Sequence, residues 1–135
     1  MRVEKQNKNA LIIARYLQKN PCMKTVHYPG LESHPGYEVA KKQMKAFGGM
    51  LSFVLDDQVI DAVRFQKNLK LIKPAGSLGG VETIICSPVI TSHAKISAEE
   101  RAQLGITDSL LRLSVGIEDP DDLIADIEQA SSGLN

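Results

Sequence analysis

Ala10, Ile13, Ala14 and Leu17 recur at intervals of three and four, the spacing that stacks side chains on one face of an α-helix. They predict an opening helix with one apolar stripe, stopped near Asn20 and Pro21 because proline removes a backbone donor and crowds the preceding turn. Met23 to Tyr28 reads as a short extended segment. Pro35 predicts the first turn of a second helix, with Tyr37, Ala40, Met44 and Phe47 on one face until Gly48 and Gly49 end it.

Met50 to Leu55 reads as a strand. Asp56 or Asp57 is expected to cap a third helix carrying Val59, Ala62, Val63 and Leu69, since a short side-chain oxygen satisfies amides that a first turn leaves free. Leu71 and Ile72 start a strand that dissolves at Pro74, and beta-branched Thr83 to Cys86 forms another, closed by Pro88. Ser97 and Glu100 have the spacing of a capping box, with Gly105 as the stop of that short helix. Leu111, Leu113 and Val115 alternate with Arg112 and Ser114, which gives that strand one apolar and one polar face. A last helix opens at Asp119 and Pro120, with Asp121 and Asp122 where negative charge favours the helix dipole.

The sum is about four strands and five helices, with later connections too short for consistent parallel crossovers. An α/β two-layer sandwich is expected, its sheet mixed or mainly antiparallel and its helices on one face. The other sheet face is then left to solvent or covered by something outside this chain.

With 135 residues, 43% hydrophobic and 24% charged, the chain has the size and balance of one domain with a single core. Sixteen basic residues offset sixteen acidic ones, so no net field draws it to nucleic acid or to an anionic membrane. The chain lacks an apolar run of roughly 18 residues, and its first ten residues are too polar for a secretion signal; a cytoplasmic protein is expected. Cys22 and Cys86 lack any close second thiol or clustered histidine in sequence, which suggests neither a metal site nor a disulfide framework.

No catalytic kit is evident from spacing alone: there is no GxSxG, HExxH or phosphate-binding glycine loop. Arg112 is the strongest candidate, because strand alternation turns it away from the side that Leu111 and Leu113 build. Its planar fork of donors suits a two-point grip on a carboxylate, although spacing alone is equally met by an arginine on a solvated sheet face. Gly76, Ser77, Leu78, Gly79 and Gly80 form a second candidate, a small-residue loop that a ligand can approach closely and that a plain turn would also use. His27, His34 and His93 match no metal motif, and Lys41, Lys42 and Lys45 read as a solvated helix face.

Several stretches together resemble one family, the Cys/Met-metabolism pyridoxal-phosphate enzymes, which include cystathionine gamma-lyase, cystathionine gamma-synthase and methionine gamma-lyase. They are Val26 to Pro35, Ala40 to Met44, Phe47 to Phe53, Ser77 to Thr83, Thr91 to Ala94, Gly105 to Asp108 and Leu111 to Asp119, in family order over nearly the whole chain. The resemblance implies a fold-type I subunit, of which residues 21–131 would be the smaller C-terminal domain that closes over the substrate. Residues 1–20 would be a linker helix joining it to an absent large domain that holds pyridoxal phosphate. Consistent with that, no lysine stands in the family's cofactor context, a Thr-Lys pair before an apolar stretch and Gly-His; Lys24 and Thr25 run in the reverse order.

By resemblance, Arg112 holds the substrate alpha-carboxylate, Ser77 lies beside cofactor and carboxylate, and Ser92 falls near the substrate's distal end. Gly76 departs from cystathionine-handling relatives, which often carry glutamate there to meet a distal amino group. The implied function is that of a lyase or transferase of sulfur amino acids, with a sulfur-containing amino acid as substrate, the large domain as partner, and a homo-oligomer, a tetramer in the full enzyme, as the assembly. On this reading the isolated chain is inactive; the alternative is a stand-alone binding or assembly module without catalysis.

Overall fold

The alternation of Leu111, Leu113 and Val115 with Arg112 and Ser114 produces a central strand whose apolar side belongs to the core. The computed structural model describes residues 1–88, 97–104 and 107–132. Along them run α1 (Arg2–Lys19), β1 (Met23–His27), α2 (Tyr37–Gln43), β2 (Met50–Leu55), α3 (Ala62–Asn68), β3 (Lys73–Pro74), β4 (Ile84–Cys86), α4 (Ala98–Gln103), β5 (Leu110–Ser114) and α5 (Pro120–Ser132). The strands lie in the order β1-β2-β5-β4-β3. Neighbours are antiparallel except β3, which runs parallel to β4. The result is the expected α/β domain with a mixed sheet, which has five strands in place of about four because the extended segment Met23–His27 pairs with β2 as a strand of its own.

The α1 stripe of Ala10, Ile13, Ala14 and Leu17 is fully buried. It packs with Leu51, Phe53, Leu55, Ile85, Leu111 and Leu113 of the sheet and with Leu123, Ile127 and Ala130 of α5. Phe65 of α3 meets Phe53 edge to face at 6.1 Å. Each large side chain so buried contributes about 1.5–3 kcal/mol of transfer free energy, and this one cluster fixes the helix-covered side of the sheet. No helix among the described residues is long and apolar enough to cross a membrane.

Three expectations are corrected. The second helix ends at Gln43, with Met44 extended and exposed. Phe47 joins the aromatic cluster from a loop instead, stacked on Tyr37 at 6.0 Å and edge-on to Tyr28 at 6.4 Å. The buried Tyr28 hydroxyl donates to the Gly48 carbonyl at 2.8 Å, and Gly48 takes the positive φ of 91° that a side chain rarely adopts. The third helix is capped by Asp61, which accepts from Arg64 N at 3.1 Å. Asp56 closes a turn of its own by accepting from Gln58 N, and Val59 and Val63 are exposed.

Leu71 and Ile72 do not begin a strand, because one carboxylate has taken their amides. Asp126 of α5 accepts from Lys70, Leu71 and Ile72 N at 2.8, 2.9 and 2.9 Å. Burial pushes the Asp126 carboxyl up, but bonds from Ile72, Lys70, Gln129 and Leu71 outweigh it and hold the group below its ordinary value. Ser97 does accept from Glu100 N at 3.2 Å as the capping-box spacing predicts; the Gly105 stop lies outside the described residues.

Candidate functional site

Arg112 stands in register with Ser52 of β2 and Cys86 of β4, and Ser52 in turn with His27 of β1. Directly opposed residues of antiparallel strands project to the same side. His27, Ser52, Arg112 and Cys86 therefore form a row across the face opposite Leu111 and Leu113. Along the row burial deepens from exposed His27, through half-buried Ser52 and Arg112, to buried Cys86. Both cysteines are free thiols, Cys22 being half-buried.

The loop from Gly76 to Thr83 runs along β5 in the same direction. Arg112 Nη2 donates to the Gly76 carbonyl at 3.5 Å and to the Ser77 carbonyl at 3.4 Å. Two residues on, Gly79 N donates to Ser114 Oγ at 2.8 Å, and beyond the strand Ile117 N donates to the Val81 carbonyl at 2.9 Å. The two candidates picked separately from sequence are thus brought together. Contacts of 3.4–3.5 Å are long for hydrogen bonds, and both draw on Nη2, so the guanidinium is restrained by the loop without its fork being spent on it.

Gly76 is exposed, and a Cβ there would meet no atom within 4 Å. Ser77 is exposed and meets Arg112 through its carbonyl. Gly79 has a positive φ of 79°, which lets the loop turn its amide onto Ser114. Ser92, the third residue picked from sequence, lies outside the described residues, as does His93. His34 accepts from Gly36 N through Nδ1 at 2.9 Å, which is a local turn contact just before α2.

A set of supporting residues went unread in the sequence. Glu118 accepts from Thr83 N at 2.9 Å and from Thr83 Oγ1 at 2.6 Å, while Thr83 Oγ1 accepts from Gly116 N at 2.9 Å. A Cβ on Gly116 would overlap the Val81 carbonyl, so this close approach needs glycine. From α1, Gln6 Nε2 donates to the Gly80 carbonyl at 2.7 Å and more weakly to Gly79 at 3.4 Å. Asn9 Nδ2 donates to the carbonyls of Gly116 at 3.1 Å and Glu118 at 2.7 Å. The available signal was that Gln6 and Asn9 each stand four residues before a member of the apolar stripe, Ala10 and Ile13.

Chemically, a guanidinium beside a loop of small residues can bind a carboxylate by charge-assisted hydrogen bonds. It is not by itself a seat for an aldehyde cofactor, which needs a lysine amine and a phosphate cradle. The donor set fits the substrate side of such a site and leaves the cofactor side to other residues.

The sequence matches the family described as Cys/Met metabolism PLP-dependent enzyme over residues 1–132. It is 51% identical over 130 residues to a cystathionine gamma-lyase of Dictyostelium discoideum, covering 96% of this chain and 34% of that protein. It is 50% identical over 129 residues to an L-methionine gamma-lyase of Fusobacterium nucleatum, covering 96% and 33%. The fold superposes with a TM-score of 0.92 and 38% identity on a cystathionine gamma-lyase of Lactobacillus plantarum solved with L-serine, over 99% of this chain and 35% of that one. The chain spans about a third of the length of the relatives it matches.

Proposed function

The chain belongs to the Cys/Met metabolism PLP-dependent enzyme family, whose full-length members use pyridoxal phosphate, and on that premise we propose that it supplies the grip on the substrate's alpha-carboxylate. The observation that carries this reading is the meeting of Arg112 with the Gly76 and Ser77 carbonyls on the face of the sheet opposite Leu111 and Leu113. The substrate is a sulfur-containing amino acid, and the reaction a lyase or synthase step at its side chain. Residues 21–131 form the domain that closes over it, α1 joins that domain to a pyridoxal-phosphate-bearing part, and the assembly is a homo-oligomer.

When bound, pyridoxal phosphate supplies an electron sink for the amino acid's reacting carbon. Arg112 holds the carboxylate from one side, and the exposed Ser77 lies next to it on the loop. A grip equally available in ground and transition states improves binding; by fixing the substrate's rotation it also decides which bond is presented for cleavage, and this raises the rate. Ser92 completes the distal end. With glycine at position 76 no charge meets a distal amino group there, which suits a substrate with an uncharged distal end.

The test is Arg112→Ala in the cofactor-loaded enzyme. Loss of a desolvated charge-assisted pair is expected to lower kcat/KM for a sulfur amino acid about 100-fold or more, with the circular dichroism unchanged because Arg112 lies outside the core. Wild-type kcat/KM with retained fold would leave Arg112 as a solvated surface arginine.

A further inference from the structure

We propose that Gln6 and Asn9 of α1 are positioning residues that fix the loop over β5 and, through it, the direction in which Arg112 presents its fork. This rests on the carboxylate reading of Arg112.

Residues 76–82 are all exposed. Packing therefore does little to hold this loop, and its place depends on hydrogen bonds. Those bonds come from three directions: Ser114 on β5, the segment 116–118 beyond it, and α1. The α1 contribution is deliberate in chemical terms. Gln6 is 7% exposed and Asn9 fully buried, and each spends its amide donors on carbonyls more than 70 residues away in sequence.

Asn9 makes the point most sharply. Its Oδ1 is buried and meets no hydrogen-bond partner among the described residues, which is unfavourable for a polar atom. Turning the amide over would set that oxygen against the Gly116 and Glu118 carbonyls, so the observed orientation is the better of the two. A side chain serving only to fill space here would be apolar. One turn away, Gln6 performs the same task for Gly80, so α1 grips both the loop and the 116–118 segment that the loop crosses. A displacement of α1 relative to the sheet thereby moves the Gly79–Gly80 part of the loop, two residues on from the Ser77 carbonyl that meets Arg112.

The test uses the pyridoxal-phosphate-loaded enzyme with Gln6→Met, Gln6→Glu and Arg112→Ala prepared in parallel. Met keeps the length of the side chain without its donor, and Glu sets an acceptor against the Gly80 carbonyl. Both Gln6 variants are expected to raise KM for the sulfur amino acid about tenfold, the worth of one lost hydrogen bond. In the same variants kcat falls along with the lost orientation, while the thermal midpoint stays within about 3 °C. A purely structural role would show the reverse, a lowered midpoint with unchanged KM, and would overturn the proposal, as would failure of both variants to fold. If Arg112→Ala raises KM and both Gln6 variants keep the wild-type value, positioning by α1 is wrong while the carboxylate reading stands. If Arg112→Ala itself leaves KM unchanged, the carboxylate reading falls and this proposal with it.

Discussion

Arg112 owes its position to a single strand register. Shifted by one residue, β5 would bury the guanidinium and expose Leu111 and Leu113; the observed pairing with Ser52 and Cys86 leaves it half-buried on the open face. That much was legible, because alternation is a local property of five residues. Its partners were not. Gly79 reaches Ser114, and Glu118 reaches Thr83, across 35 positions, and no periodicity encodes which polar side chain answers which loop amide. The shape of the fork leads to a prediction at this scale: in the cofactor-loaded enzyme Arg112→Lys recovers only part of the kcat/KM lost in Arg112→Ala. Lysine restores the charge but not two parallel bonds, so about a tenfold deficit against wild type is expected. Full recovery would mean that charge alone suffices.

At the scale of elements, the apolar patterns of α1 and β2 were read correctly, whereas the end of α2, the cap of α3 and the segment before β3 were not. The α1 stripe and the β2 strand stand where their spacing puts them. Leu71 and Ile72 looked like a strand start, yet their amides are claimed by Asp126 on α5; that choice depends on a helix more than fifty residues on. Asp126 thus ties α5 to the segment between α3 and β3. Removing it orphans the buried Ile72 amide, so Asp126→Ala should lower the urea-unfolding free energy of the purified chain at pH 7 by about 2–3 kcal/mol. The group's folded pKa is depressed, so its contribution is present above its unfolded pKa of about 3.9 and is lost as pH falls through the lower folded value. The stability gap between wild type and Asp126→Ala should therefore close as the solution is acidified below about pH 4. Equal stabilities at pH 7 would show that the tie contributes nothing.

For the whole molecule, the arrangement is one-sided. Helices α1, α3 and α5 and the core lie on one face of the sheet, and the other carries the row from His27 to Cys86 with the loop laid along β5. Exposed apolar residues gather near that loop: Leu78 and Val81 on it, and Ile117, whose amide bonds to Val81. Such apolar surface suits burial against another protein part. The family was legible from motifs spread along the chain, whereas the ties between α1, the loop and β5 became visible only once the chain was folded. The central claim, that this domain holds the substrate by its carboxylate through Arg112, is tested most directly by changing the carboxylate itself. In the cofactor-loaded enzyme, inhibition constants would be compared for an unreactive sulfur amino-acid analogue and for its carboxamide, in wild type and in Arg112→Ala. Wild type is predicted to prefer the acid by about 100-fold, and Arg112→Ala to bind the two about equally, as a double-mutant cycle requires of interacting groups. An Arg112→Ala enzyme that kept the full preference for the acid would contradict the account.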